Sequence, residues 1–251
     1  MRSLFWFNTV MDMKNIIIFI FCLFSFFVLA QKIEIGEKYK IFSSVLDEER
    51  EYWVYLPSNY NDTIYAPEKY TVTYFLDWDR HFHSLTGLHD FLSKGPYASL
   101  PEMIMVGILT KKNRARDLTP TNVNKPQMGK RFNFPDSGGN EKFIKFIEKE
   151  LIPKINTTYR TNGYKTLIGH SFGGLTVLNT LLEKPELFNS FIAIDPSVWW
   201  DETYVLKKAK TKLSKLNLKE KTLFLARANS ISSATHKNEI DFHLQSIINF
   251  K

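Results

Sequence analysis

Gly169-His170-Ser171-Phe172-Gly173-Gly174 is the stretch of sequence that decides the fold of this chain. A Gly-x-Ser-x-Gly sequence lets a strand turn sharply into a helix with the serine at the apex, and the strained serine backbone requires neighbours that are nearly free of side chains. Residues 164–168 have the pattern of a short buried strand, and leucines recur at helical spacing over residues 175–182. The stretch therefore predicts a strand, a turn that exposes Ser171, and a helix that ends before Pro185.

The rest of the chain indicates one α/β domain. With 44% hydrophobic and 24% charged residues, the composition is typical of a globular protein with a large core. Short apolar runs alternate with helical patterns, which predicts a mostly parallel sheet covered by helices on both faces. The predicted strands are residues 52–56, 70–76, 103–109, 166–168, 191–194 and 222–226, and a late helix is predicted over 201–216. The chemistry is expected at the carboxyl ends of the strands, in segments 77–83, 110–121 and 195–201.

The first thirty residues have the pattern of a secretion signal. Residues 16–30 are apolar apart from one serine, and this run is shorter than the roughly 20 residues that span a bilayer. Small residues stand at the minus-three and minus-one positions of a cleavage site before Gln31. We predict a signal peptide over residues 1–30 that starts at Met13, and an exported domain over 31–251; an uncleaved membrane anchor is the alternative.

The charge and the cysteine content narrow the range of partners. The net charge is +7, with lysines concentrated between residues 207 and 221. No aromatic residues interleave with these lysines for base stacking, so they indicate a solvated helix face, and we predict no nucleic-acid partner. The single cysteine, Cys22, lies in the apolar leader, which predicts a mature protein without disulfides. We also predict no stable membrane association after signal cleavage; the sequence carries no prediction of oligomeric state.

Ser171 requires two kinds of support to act as a nucleophile. A base must take its proton, and the developing oxyanion needs fixed donors. In a strand-turn-helix of this kind one donor is the backbone N–H of the next residue, Phe172. The second comes from the loop after the strand predicted over 70–76, where Asp77 and Trp78 are alternatives. The candidates to line a substrate pocket at this edge are Trp78, His81, His83, Trp199 and Trp200.

Five blocks in order resemble the family called Putative esterase, within the α/β-hydrolases. The blocks are residues 50–57, residues 74–79 with 81–83, residues 114–121, residues 169–174 and residues 195–201. Over residues 35–250 the chain is similar to an exported bacterial branch of this group, which includes S-formylglutathione hydrolase and siderophore esterases. The resemblance implies an α/β-hydrolase fold, hydrolysis of a small-molecule carboxylic ester through a Ser-His-acid triad, and no metal or organic cofactor.

The acid and the base of such a triad are harder to assign. In this fold the chain order is serine, acid, histidine, and few residues follow the last predicted strand. In the family the base lies in an Asp/Glu-His-Gly-Ser-like turn near the end, and the sequence has no such turn. We therefore predict a chain that stops before its final strand, its catalytic histidine and its closing helix. Within residues 1–251, His243 is the candidate base, and Asp195 or Asp241 is the candidate acid.

Three functions are consistent with these residues. The first is a serine-dependent carboxylic ester hydrolase that forms an acyl-enzyme on Ser171. The second is a catalytically inactive fragment or relative that lacks the triad histidine. The third is an acyltransferase, because the serine turn alone does not separate transfer to an alcohol from transfer to water.

Overall fold

A seven-stranded sheet forms the centre of the protein in the computed structural model, which describes residues 34–64, 66–96, 98–127, 132–228 and 237–250. Residues Ile35–Lys251 form one compact unit. The expected signal peptide over residues 1–30 lies outside the described residues. No helix in the described part of the chain is both long and apolar enough to cross a bilayer.

The sheet is mostly parallel, as the sequence predicts. In spatial order its strands are β1 (Glu37–Ser43), β2 (Glu48–Tyr55), β4 (Met103–Ile108), β3 (Tyr70–Leu76), β7 (Thr161–His170), β8 (Ser190–Ile194) and β9 (Thr222–Ala226). The β1–β2 and β2–β4 pairs are antiparallel, and every pair from β4 to β9 is parallel. A separate hairpin consists of β5 (Val123–Gln127) and β6 (Phe132–Phe134).

Helices cover both faces of the sheet. In chain order they are α1 (Phe82–Ser93), α2 (Arg114–Leu118), α3 (Asn140–Phe146), α4 (Ile152–Thr158), α5 (Phe172–Glu183), α6 (Trp200–Lys212) and α7 (Lys237–Ile248). A π-helical turn, Ile147–Leu151, joins α3 to α4. The main core lies between the sheet and helices α3 to α6, and a smaller aromatic core lies on the other face, where Phe82 of α1 packs against Phe75 and Trp78. The predicted α/β class is confirmed.

Several elements were not predicted from the sequence. They are strand β1, helix α1, helix α2 and the β5–β6 hairpin. Helix α6 ends at Lys212, earlier than the predicted residue 216. Strand β9 lies at the edge of the described sheet, and two of its side chains, Leu223 and Phe224, are exposed.

A buried ionic network joins β2 to α2 and so fixes the loops at the carboxyl edge of the sheet. Arg50 Nη1 lies 2.7 Å from Asp117 Oδ2 and 2.8 Å from Glu48 Oε1. Arg116 donates from Nε to Asp117 Oδ1 at 2.8 Å and from Nη1 to Glu48 Oε2 at 3.0 Å. Asp117 is fully buried. A buried charge of this kind is costly if it loses its partners, so the network holds α2 in one position.

The network predicts a specific loss of stability in acid. Hydrogen bonds from Arg116 and then Arg50, working against burial, lower the pKa of Glu48 to about 2 from an ordinary value of 4.5. Because the folded pKa lies below the unfolded one, the stabilisation is present above about pH 4.5 and is lost as the pH falls toward 2. We expect the unfolding free energies of the wild type and Glu48→Gln, measured with urea, to differ by a constant amount above pH 5 and to converge below it.

The matched control is the same Glu48→Gln change made in an Arg116→Met background. The pH-dependent difference should shrink there, because the two side chains act as a pair. A difference between wild type and Glu48→Gln that grows as the pH falls would contradict the role given to Glu48.

Candidate active site

Ser171 lies at a strained turn between β7 and α5. Its φ of 58° and ψ of −116° are far from helical or extended values. Three backbone hydrogen bonds hold the turn. The Ser171 N–H donates to the Ile194 carbonyl at 3.0 Å. The Ser171 carbonyl accepts from the N–H groups of Leu175 at 2.9 Å and Ser197 at 3.1 Å. The strand, turn and helix predicted around Ser171 are therefore all observed.

The glycines on either side of Ser171 are required by space. A Cβ placed on Gly169 would overlap the carbonyl group of Gly173, and a Cβ on Gly174 would lie 3.0 Å from Pro196 Cα. These contacts bring the end of β7, the start of α5 and the loop after β8 together around the serine. The spacing of glycines in the motif thus has a direct steric cause.

The hydroxyl of Ser171 faces a second serine that the sequence did not single out. Ser171 Oγ lies 3.3 Å from Ser197 Oγ, and Ser197 is buried. Among the described residues, no histidine ring lies within hydrogen-bond distance of Ser171 Oγ. The position of Ser197, three residues after the end of β8 and one after a proline, is the sequence signal that points to it.

Asp195 and His243, two of the candidates for the acid and the base, are in contact. His243 Nε2 lies 3.2 Å from Asp195 Oδ1, which also accepts the N–H of Ala228 at 3.0 Å. Burial raises the pKa of Asp195, but the bonds from His243 and Ala228 together outweigh it, and the pKa is lowered overall. His243 Nδ1 is buried and has no partner among the described residues. The side chain of the alternative acid, Asp241, is not among those that the structure describes.

The two segments expected to bind an oxyanion lie side by side. Phe172 is the first residue of α5, and Asp77 follows β3 directly with φ 57° and ψ 37°. A Cβ on Gly173 would lie 3.3 Å from Leu76 Cβ and 3.8 Å from Asp77 Oδ2. The backbone at the start of α5 therefore packs against the side chains of Leu76 and Asp77 at the end of β3, so the two segments that would supply the N–H donors are neighbours.

The Asp77 side chain is held by neighbours. Its carboxylate accepts hydrogen bonds from Thr110 Oγ1 and from Arg114 Nε, the latter at 2.9 Å. Arg114 and Thr110 were not among the candidate site residues from the sequence, although both lie in segment 110–121, which leaves the sheet at this edge. Asp77 is consequently anchored to the loop that follows β4.

Two of the aromatic candidates do not line a pocket, contrary to expectation. Trp78 is fully buried in the aromatic core, where its ring fills the space that a side chain at Gly107 would need. Trp200 is also fully buried, and its Nε1–H donates to Thr121 Oγ1 at 3.0 Å. Trp199 is nearly buried, with its ring centre 6.0 Å from that of Phe172. Trp199 and Trp200 thus pack against Phe172 at the start of α5, whereas Trp78 packs against Phe75 and Phe82.

The histidine candidates lie at the surface of the site. His81 and His83 are exposed, and the centre of the His81 ring lies 6.3 Å from that of His170. Although part of the His170 ring is exposed, desolvation of the remainder lowers its pKa, Asp195 raises it, and His81 lowers it further. His81, His83 and His170 are thus exposed at the rim of the site. Within the described residues, no three His, Cys, Asp or Glu side chains are grouped closely enough to hold a metal ion.

Comparison with known proteins gives a consistent result. The sequence profile of the family described as Putative esterase matches residues 43–237. The chain is 34% identical over 183 residues to the ferri-bacillibactin esterase BesA of Bacillus subtilis, a match that covers 69% of this chain and 62% of BesA. It is 33% identical over 101 residues to the siderophore triacetylfusarinine C esterase of Aspergillus fumigatus, which covers 39% of this chain and 32% of that protein.

A solved structure extends the comparison to the fold. An IroE-like serine hydrolase from Shewanella oneidensis superposes with a TM-score of 0.72 at 34% identity, covering 86% of this chain and 69% of that one. The predicted α/β-hydrolase fold is confirmed by this similarity. The chain spans less than two thirds of the length of the curated esterases described above.

The glycine contacts at the turn generate a prediction about stability. Gly169→Ala would force the new methyl group into the Gly173 carbonyl, so we expect the free energy of unfolding in urea to fall by roughly 1–3 kcal/mol. Gly87→Ala is the control, because nothing lies within 4 Å of a Cβ there and Gly87 is in helix α1, where alanine favours folding by roughly 0.5–1 kcal/mol. Equal stability of the two variants would contradict the packing of the turn.

Proposed function

The chain belongs to the Putative esterase family, and on this premise we propose that it hydrolyses a carboxylic ester by nucleophilic attack of Ser171. The observation that carries the proposal is the strained backbone of Ser171 at the junction of β7 and α5, with Gly169 and Gly173 packed against each other beneath it. In the proposed reaction the Ser171 oxygen forms a bond to the ester carbonyl carbon, the alcohol leaves, and water then cleaves the acyl-enzyme.

Stabilisation of the tetrahedral intermediate falls to backbone N–H groups. The proposed donors are Phe172 and either Asp77 or Trp78, whose segments are adjacent. Donors of this kind act where negative charge develops, and the loss of one typically costs about 10²–10³ in kcat. Because they belong to the backbone, their position depends on the left-handed conformation of Asp77 and on the start of α5.

We assign the proton transfers to the Asp195–His243 pair. If His243 donates its Nε2–H to Asp195 Oδ1, the neutral ring carries its lone pair on Nδ1, the nitrogen that has no partner among the described residues. Nδ1 can take the Ser171 proton once the two atoms come within hydrogen-bond reach, a contact that no described histidine makes with Ser171 Oγ in this structure. Asp195 lies near the serine in space, since the residue before it, Ile194, accepts the Ser171 N–H.

The proposed substrate class is a siderophore ester. Both curated relatives carry names of siderophore esterases, and their sequence similarity supports the same class of small-molecule ester for this chain. Residues 1–30, interpreted as a signal peptide, would place the activity outside the cytoplasm. Hydrolysis is preferred over acyl transfer because the named relatives are esterases; product analysis with a competing alcohol distinguishes the two.

Ser171→Ala tests the nucleophile. We expect at least a ~10⁴-fold loss in the hydrolysis of ferri-bacillibactin and of a short-chain nitrophenyl ester, together with loss of labelling by a fluorophosphonate probe. Ser197→Ala is the matched variant, because Ser197 lies at 3.3 Å in the same site but is not at the strained turn; it should still be labelled. A wild-type protein that is neither labelled nor active would instead support an inactive relative.

His243→Gln tests the base. We expect a loss of hydrolysis on the order of that caused by removing Ser171, with the free energy of unfolding changed far less. His170→Gln provides the comparison, because His170 adjoins the serine in sequence and lies near Asp195, but Asp195 pairs with the His243 ring and not with the His170 ring. Full activity of His243→Gln together with loss of activity in His170→Gln would reverse the assignment.

A further inference from the structure

Arg114 contacts both of the segments that are proposed to bind the oxyanion. It is the first residue of α2, and its Nε and Nη2 lie 2.9 Å and 2.8 Å from Oδ2 of Asp77. Its guanidinium carbon lies 5.0 Å from the centre of the Phe172 ring. The Arg114 side chain is 25% exposed, whereas that of Asp77 is 7% exposed. Arg114 thus links the loop after β3 to the start of α5.

On the β3 side, Arg114 stabilises an unfavourable backbone. A left-handed conformation is strained for a residue other than glycine, and Asp77 adopts it with φ 57°. The carboxylate is fixed from two directions, by Arg114 and by Thr110 Oγ1. Because φ and ψ of Asp77 set the direction of the peptide that follows, fixing the carboxylate also fixes where the Trp78 N–H points.

On the α5 side, Arg114 stacks against the ring that adjoins the nucleophile. Phe172 is nearly buried, and its ring also contacts Trp199, Trp200 and Phe134. A planar guanidinium can stack on an aromatic face while it holds a carboxylate through two N–H groups, and a lysine ammonium cannot do both. The arginine is therefore the residue type that this double contact requires.

We propose that Arg114 is a positioning residue that sets the separation of the two oxyanion donors, acting through Asp77 and Phe172. This inference rests on the proposed function. Arg114 takes no proton and forms no bond to the substrate; its effect is confined to the binding of the tetrahedral intermediate. It should therefore contribute to kcat and to the affinity for tetrahedral analogues, and contribute little to the affinity for the ground-state ester.

The test compares Arg114→Met and Arg114→Lys with a remote control. Arg160→Met is that control, because Arg160 also stacks on an aromatic ring, at 3.8 Å from the centre of Tyr60, but at the amino end of β7. For each variant, kcat and KM are measured with a nitrophenyl ester, the inhibition constant with an alkylboronic acid that forms a tetrahedral adduct with serine, and the melting temperature.

If Arg114 positions the two donors, its loss should change kcat and boronic acid binding more than KM. Arg114→Met should lower kcat by roughly 10–100-fold with KM within about threefold, and should weaken boronic acid binding by the same factor as kcat/KM. Arg114→Lys should be intermediate, and it serves as the folded variant if Arg114→Met does not fold. Arg160→Met should keep the wild-type kinetic constants, whatever its melting temperature.

Other results would overturn the inference. With an active wild type, an unchanged kcat in Arg114→Met, or a loss confined to KM with boronic acid binding intact, removes Arg114 from this role and leaves the proposed function standing. A wild type that is inert toward both the ester and the boronic acid removes the premise, and both proposals then fail.

Discussion

The site depends on a backbone constraint shared by three adjacent strands. Strands β3, β7 and β8 are each followed directly by a residue with positive φ, namely Asp77, Ser171 and Asp195. Each such conformation costs a non-glycine residue about 1–3 kcal/mol, so it persists only where surrounding contacts enforce it. Hydrogen bonds from neighbouring segments provide these contacts. Arg114 donates to the Asp77 carboxylate, the Ile194 carbonyl accepts the Ser171 N–H, and the Ala228 N–H donates to the Asp195 carboxylate. The three polar residues at the carboxyl edge are thereby directed away from the sheet at neighbouring positions.

The sequence predicted the parts of the fold that depend on local rules. The strand, turn and helix at Ser171 follow from glycine spacing and apolar period, and the parallel strands from the alternation of short apolar runs. The contacts around the serine could not be predicted in this way. Ser197 and Arg114 reach the site through long-range packing, and the burial of Trp78 and Trp200 depends on which face of the sheet each ring meets. Composition does not distinguish an aromatic core from an aromatic pocket.

Asp195 and His243 are residues that the sequence proposed without predicting that they are in contact. Both were candidates from chain order alone, among alternatives that the sequence left open, and folding brings them to 3.2 Å of each other across 48 positions of the chain. No local pattern records that approach, because it depends on how α7 returns to the end of β8. The ionic network of Arg50, Glu48 and Asp117 is likewise non-local, yet it determines where α2, and with it Arg114, is held.

The close approach of Trp78 to Gly107 has a consequence for sequence divergence. The indole occupies the volume into which any side chain at position 107 would extend, and it sits between Phe75 and Phe82. In homologous chains a larger side chain at position 107 therefore requires a smaller one at position 78, and large side chains cannot occupy both positions. Because Trp78 directly follows Asp77, such an exchange would also shift the backbone of the segment proposed to bind the oxyanion, although neither ring nor glycine is proposed to contact the substrate.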